Sequence, residues 1–421
     1  MKEMLLFAFL VAGAAHAQTQ PPLRATSCSA GLELPEGFCA TIFASDVNGA
    51  RHILVAPNGD VFVNRQARGG SGGGIIALRD TNGDGRADVR QTFGKGGGTG
   101  IALDGGNLYA TDGNSIVRYH VAPGSLTASG KADTIVTGLP MNGHHPHNFV
   151  LQGSSLFVNI GSGTNACQER DRQAGSTGRD PCDELSTRAG IWEFDANRTG
   201  QQTRDGRRFA TGMRNSVALT RSALDGNLYA TVHGRDQLHD NWPTLFTENK
   251  SAENPGEELV RVDRGADYGW PYCYYDVDRR ALLLAPEYGG DGQKIGRCGS
   301  KTAPLMAFPG HWAPNGMLFY TGTQFPAQYR GGAFVAFHGS WNRAPLPQAG
   351  FRVAFAPFRS GRPMGSYLTF ADGFYPSPGT GRAQRGTKRP TGLAQAPDGS
   401  LFITDDTGGT IWKITYRGGS R

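Results

Sequence analysis

No stretch after the N-terminus approaches the ~18 consecutive apolar residues of a membrane helix, so the chain offers no later span. There is no Cys-x-x-Cys and no histidine at zinc-finger spacing, which argues against a structural zinc site. There is no Cys-x-x-Cys-His, so the chain carries no c-type haem. No glycine-rich fingerprint follows a strand in a βαβ unit, which argues against a nicotinamide cofactor. Basic residues exceed acidic ones, 42 to 36, but no Lys/Arg run is longer than two. Scattered positive charge of this kind argues against nucleic acid and favours local arginines facing an anionic ligand. Long amphipathic helices are missing as well, while glycine is abundant at 62 of 421 residues. That combination suits an all-β chain with many turns.

What is present is a recurrence. Six times a short apolar run leads through a turn into a second strand-like run: "ILVAPNGDVFVN" from Ile53, "GIALDGGNLYAT" from Gly100, "FVLQGSSLFVNI" from Phe149, "VALTRSALDGNLYAT" from Val217, "APNGMLFYTG" from Ala313 and "GLAQAPDGSLFITD" from Gly392. Most copies close with a further strand, as in "SIVRYH", "GIWEFD", "ELVRVD", "FRVAFAP" and "TIWKIT". Repeats of this length predict a six-bladed β-propeller of four-stranded antiparallel blades. Spacing widens in the later half, so blades four and five are expected to carry long insertions, where propellers build function. The segment "LPEGFCATIFA" from Leu34 lies outside the copies and is expected to complete the last blade and close the ring.

Residues 1–17, with Lys2, the run "MLLFAFLVAGAA" and Ala-His-Ala at the end, read as a signal peptide cleaved after Ala17. Residues 18–421 then form one propeller domain in the periplasm or outside the cell. Cys28, Cys39, Cys167, Cys182, Cys273 and Cys298 fit that oxidising setting. Fifteen pairings are open to six cysteines, and their order suggests three local ones, 28–39, 167–182 and 273–298.

Polar clusters fall where inner strands begin, and there a propeller's loops converge on its axis. "GHHPHN" brings His144 to the mouth, and "GMRNS" brings Arg214 and Asn215, a fork and an amide for an anionic, carbonyl-bearing ligand. In "HGRDQLHDNWP" and "PGEELVRVD", turn carbonyls together with Asp236, Asp240, Glu257 and Glu258 suit a hard cation such as Ca²⁺. "HWAPNG", "HGSWNR" and "TKRPTG" add further histidine, aromatic and basic residues. Separately, Asp80, Asn82, Asp84, the Arg86 carbonyl and Asp88 follow the spacing of a calcium loop, although Gln91 stands where its bidentate Glu belongs. A structural Ca²⁺ remote from the axis is the expectation there.

From about Leu34 to Tyr416 the chain resembles the pyrroloquinoline quinone (PQQ)-dependent glucose/sorbosone dehydrogenases. The resemblance rests on "GHHPHNFVLQGSSLFVNIGS", "ATGMRN", "GADYGWPY", "FYTGTQFPAQYRGGAFVAFHGSWNR" and "RPTGLAQAPDGSLFITDD". "HGSWNR" and "RPTG" look closer to the sorbosone and pyranose dehydrogenase branch. The resemblance implies PQQ and Ca²⁺ on the axis and oxidation of an aldose, a sugar aldehyde or a related alcohol. It puts the general base on His144 and the quinone-facing pair on Arg214 and Asn215. It puts the Ca²⁺-holding carbonyls on Gly234 and Arg235, cofactor cations on Lys388, Arg389 and Arg343, and a stacking aromatic near Trp312. Ser162 stands where many members carry an Asp beside the base, and His147 stands where relatives often carry Arg. Electrons would leave to a separate cytochrome or quinone-linked acceptor. Two other classes make different demands on the sequence. A non-catalytic extracellular binding propeller would be expected to lose His144 or the Arg pair. A Ca²⁺-dependent propeller lactonase needs acidic and Asn ligands converging on the axis.

Overall fold

The computed structural model describes residues 19–67, 72–381 and 387–418. Residues 1–17, read above as a signal peptide, lie outside them. Six antiparallel sheets follow one another along the chain, each laid down from the inside outwards. Their innermost strands are Ala50–Val55, Ile101–Asp104, Phe149–Gln152, Leu219–Arg221, Pro314–Phe319 and Pro390–Gln395. The last sheet takes its outer strand from the N-terminus: Phe38–Ala44 pairs antiparallel with Ile411–Tyr416, as expected of a ring closed by its two ends. Blade two is wider than expected. Gln201–Gln202, from the third blade's connection, adds a fifth strand parallel to Ser129–Thr137.

Each blade is covered on both faces by its neighbours, so its second strand is buried along most of its length rather than alternating. Leu228–Val232 (LYATV) and Ala333–Phe337 (AFVAF) are buried at every position. Six apolar clusters result, one between each pair of adjacent blades. Phe62, Leu108 and Val117 fill the gap between blades one and two. Ile53, Ile76, Phe402 and Ile411 close the gap between blades six and one. The aromatic wedge of Phe38, Phe325, Phe334, Phe355, Phe370 and Trp412 is the core between blades five and six.

Three disulfides form, 28–39, 167–182 and 273–298, the pairs that cysteine order suggested. The first ties the N-terminal loop to the ring-closing strand; the other two lie in insertions. These insertions need a correction. Blade three carries one too: residues 161–189 separate its strands Ser155–Ile160 and Gly190–Asp195. The connection from second to third strand is long again in blade four (233–256) and blade five (338–351). In an up-and-down blade that connection shares an end with the start of the innermost strand. All three therefore crowd the end that carries His144 and Arg214.

Candidate active site

Gly161 shows how tightly this end is assembled. A Cβ there would sit 2.7 Å from His144 Cβ and 3.2 Å from Asn215 Oδ1. Only a glycine lets the loops of blades three and four meet, and it brings His144, Arg214 and Asn215 together.

His144 is oriented by Ser162. Its Nδ1 lies 3.0 Å from the Ser162 carbonyl and 3.0 Å from Ser162 Oγ. That hydroxyl donates its hydrogen to the Thr164 carbonyl at 2.6 Å, so toward the ring it accepts. With two acceptors on one side, Nδ1 carries the proton, and Nε2 is left as a bare lone pair. Burial, and next the Arg214 guanidinium, hold the imidazole's pKa well below the ordinary histidine value, against the pull of Asp236 and the Ser162 carbonyl. The ring is neutral at pH 7 and able to take a proton.

Arg214 is buried and extensively bonded. It donates from Nε to Asn165 O (3.1 Å), from Nη1 to Gly234 O (2.9 Å), and from Nη2 to Asn165 Oδ1 (3.0 Å) and Asp236 Oδ2 (2.9 Å). Of the five N–H donors on a guanidinium, these contacts occupy four. Asp236 also accepts from Arg172 (2.8 Å) and from Asn342 Nδ2 (3.0 Å), and it has His311 Nδ1 at 3.8 Å. Burial would raise its pKa, but Arg214 and its neighbours hold it well below the carboxylate range. Asp236 is therefore the anionic counterweight of Arg214. The sequence reading had placed it among cation ligands.

Oxygen donors gather beside this pair. Glu257 accepts from Gly234 N–H (3.0 Å) and Ala313 N–H (3.0 Å), and burial pushes it up to about 7. Burial pushes Glu258 up to about 8. Glu258 Oε2, Asn215 Oδ1 and Asn342 Oδ1 are buried with no hydrogen-bond partner among the described residues. Buried acceptors are rarely left unmatched, and a hard cation satisfies several at once. A cation-held anionic quinone thus fits the groups assembled here. The Arg235 side chain serves a different end, forming a buried pair with Glu287 and bonding Asn241 (2.9 Å). Asp240 sits in the short helix Leu238–Asn241, with its side chain outside this cluster.

Across the mouth, Asp406 accepts from Arg51 (2.8 Å) and contacts His338 Nε2 (2.9 Å). Arg389 donates to His338 O (3.2 Å) and Gly339 O (3.0 Å), touches His338 Nδ1 (3.1 Å) and lies over the Phe351 ring. Lys388 lies 5.1 Å over the Trp412 ring.

Other expected positions have packing roles. Trp312 is 8% exposed and sits edge-on to Phe337 and Tyr367, with Arg352 over its face, so it belongs to the core between blades four and five. The Arg343 fork is taken by the carbonyls of Ala252, Gly310 and Pro347. His147 is fully buried between the carbonyls of Pro140 (2.8 Å) and Asn159. In the 80–88 loop, Asp80, Asn82, Asp84 and Asp88 accept loop N–H groups, among them those of Gly83, Asp84, Arg86 and Thr81. Among the described residues, the one group of three His, Cys, Asp or Glu ligand atoms within 4.8 Å is Cys167, Cys182 and Asp183, where both sulfurs are in the disulfide.

Sequence reasoning looked at the starts of inner strands and undervalued the ends of second strands. Ser162, Asp236, His338 and Asp406 all lie just past such ends. The signal was a polar residue one to four positions after each apolar run, in "VNIGS", "TVHGRD", "VAFHGS" and "ITDD".

A six-bladed ring whose axial mouth is lined by histidines, arginines and orphan oxygens defines a propeller with one polar axial site. More narrowly, the chain belongs to the TrAA12-like family, whose profile matches residues 32–417. It is 24% identical over 343 residues to a PQQ-dependent sugar dehydrogenase of Hypocrea jecorina, covering 75% of this chain and 73% of the relative. It is 26% identical over 438 residues to a PQQ-dependent pyranose dehydrogenase of Coprinopsis cinerea, covering 92% of this chain and 55% of the relative. An uncharacterized Borreliella burgdorferi protein is 29% identical over 208 residues, 49% of this chain and 48% of that protein. The chain thus spans about half the length of two of these relatives. In fold, it matches the calcium structure of a Trichoderma reesei AA12 enzyme with a TM-score of 0.73 at 20% identity, over 94% of this chain and 98% of the other.

Proposed function

We propose that this chain is a quinoprotein oxidoreductase that oxidises a sugar or a sugar aldehyde with PQQ and Ca²⁺ and without NAD. The observation that carries the reading is His144: a neutral, oriented imidazole with a bare Nε2, held within the same loop junction as Arg214 and Asn215. The names of the Hypocrea and Coprinopsis relatives support it independently.

When bound, PQQ supplies a two-electron acceptor, with Ca²⁺ as the Lewis acid that anchors it. In this reading the Gly234 and Arg235 carbonyls and Asn215 Oδ1 are the groups that hold the cation, and Arg214 and Arg389 face the cofactor's negative charge. His144 Nε2 accepts the proton of the substrate hydroxyl while Ser162 keeps Nδ1 protonated and the ring fixed. Arg214 adds fixed positive charge where negative charge develops, tempered by its partner Asp236.

Three disulfides support export to an oxidising compartment, and residues 18–421 are assigned to a single propeller domain. The electron acceptor is assigned to a separate cytochrome or a quinone-linked protein. Purified protein reconstituted with PQQ and Ca²⁺ is expected to reduce an artificial dye with aldoses or sugar aldehydes and to ignore NAD⁺. Inertness across aldoses, aldehydes and polyols, with PQQ bound, overturns the reading.

A further inference from the structure

Six tryptophans occur in the chain. Trp192, Trp270, Trp312 and Trp412 are buried, and Trp242 is partly buried with its Nε1 donating to Glu287. Trp341 differs: it is 47% exposed and makes no ring contact among the described residues. An exposed indole is a rigid face with one polar handle, and tryptophan is enriched at binding surfaces for that reason.

Its place is well defined, because the residues on either side of it are pinned. Ser340 donates from N–H to Ala349 O (2.8 Å) and from Oγ to Gln348 Oε1 (2.6 Å). Asn342 donates to Asp236 Oδ1 (3.0 Å), the same carboxylate that holds Arg214. Arg343 ties the loop to Ala252 O and Gly310 O. A backbone fixed on both sides presents its side chain at little ordering cost, a favourable property in a ligand platform. One neighbour of Trp341 touches the Asp236–Arg214 network, and the other supplies a carbonyl 3.5 Å from Arg389. The backbone of Trp341 thus lies between the two charged halves of the mouth, with its indole exposed.

We propose that Trp341 is the sugar-stacking residue of this site and that it selects ring-form sugars over small open-chain aldehydes. The C–H face of a pyranose is apolar and flat enough to lie on an indole, while its hydroxyls stay free for polar groups deeper in the mouth. An open-chain aldehyde has no such face. The inference deepens the proposed function by naming its substrate class, and it rests on that reading for the turnover half of its test.

The first arm uses holo-protein. Trp341→Ala should raise KM for a pyranose such as glucose roughly tenfold or more, with a smaller change in kcat. KM for glyceraldehyde and the PQQ titration end-point should be unchanged, and Trp341→Phe should recover most of the loss. An equal KM shift for both substrates, or none for the pyranose, overturns the proposal. The second arm uses apo-protein and needs no turnover. N-bromosuccinimide should modify Trp341 first, and added glucose should slow that modification, followed by peptide mass. If wild-type holo-protein oxidises nothing, the functional reading fails and this second arm decides alone. Protection by sugar then upholds the platform, and its absence overturns it.

Discussion

The two halves of the propeller mouth use one device and leave different chemistry behind. On one side Asp236 pairs with Arg214 at 2.9 Å; on the other Asp406 pairs with Arg51 at 2.8 Å. Both arginines are nearly buried, and each carboxylate has a histidine near it, His311 at 3.8 Å from Asp236 and His338 at 2.9 Å from Asp406. The difference lies in a further histidine, His144, which senses the charge of Asp236. His338 has both nitrogens engaged, Nε2 by Asp406 and Nδ1 by Arg389. His144, beside the Asp236 pair, has Nδ1 engaged by Ser162 and a bare Nε2. A histidine with both nitrogens engaged holds structure, whereas one with a free lone pair accepts protons. In the proposed function, the histidines and arginines at the propeller mouth thus form two clusters, one for binding and one for chemistry.

The largest expected effect separates them directly. His144→Ala should lower kcat by about 10²–10⁴ while PQQ still binds, the usual worth of a general base. Arg389→Ala, on the other side, should chiefly weaken PQQ binding and change kcat at saturating PQQ far less. Titrating PQQ into each variant and measuring dye reduction at saturation tests the division. Equal loss of PQQ binding in both variants would collapse the two clusters into one.

Next come the carboxylates. Asp236→Asn leaves Arg214 buried without its counter-charge, which should cost about 3–5 kcal/mol in denaturant melts. Asp406→Asn should cost a similar amount for the same reason. The comparison predicts that their activities diverge. The folded fraction of Asp236→Asn should lose turnover, because Arg214 and His144 sense that charge, while Asp406→Asn should keep most of its kcat. Matching kcat losses would show that Asp236 has no special tie to the chemistry.

The ring itself was legible in the sequence because it is written in apolar runs repeated six times, and ring closure by residues 38–44 followed from a strand left over. His144, Arg214 and Asn215 were legible because they begin inner strands. Their orientation was not. Ser162 holds His144 through a main-chain carbonyl as much as through its hydroxyl, and a carbonyl has no letter in a sequence. The packing of Trp312 and Arg343 was illegible for a related reason. Their residue types suit a cofactor, but Trp312 is enclosed by Phe337, Tyr367 and Arg352, and Arg343 by backbone carbonyls, contacts that only the fold reveals. Blade three's insertion escaped notice because its half-buried turns carry no strand periodicity.

A smaller effect concerns pH. His144 is held below its usual pKa, so the neutral form, the one that accepts a proton, persists as the pH falls through 6.5. The acid limb of kcat/KM should therefore lie below pH 6.5. In Asp236→Asn it should move lower still, since that carboxylate raises the His144 pKa. Profiles from about pH 4 to pH 8 at saturating PQQ read both shifts. An acid limb above 6.5 would mean that the titrating base lies elsewhere.

The smallest effect sharpens the account of the base. Ser162→Ala removes one of the two acceptors at His144 Nδ1 and leaves the Ser162 carbonyl in place at 3.0 Å. It also strips the Thr164 carbonyl of its hydroxyl donor, a local loss of about 0.5–1.5 kcal/mol in stability. Because a main-chain acceptor remains, Nδ1 should stay protonated and Nε2 bare, so kcat should fall less than about tenfold. The neutral ring's nitrogen chemical shifts should report the Nδ1–H tautomer in both wild type and variant. If Ser162→Ala instead loses as much turnover as His144→Ala, or switches tautomer, the hydroxyl is the orienting group. The main-chain carbonyl would then be a bystander, and this serine would do the work that the acidic residue does in relatives carrying one.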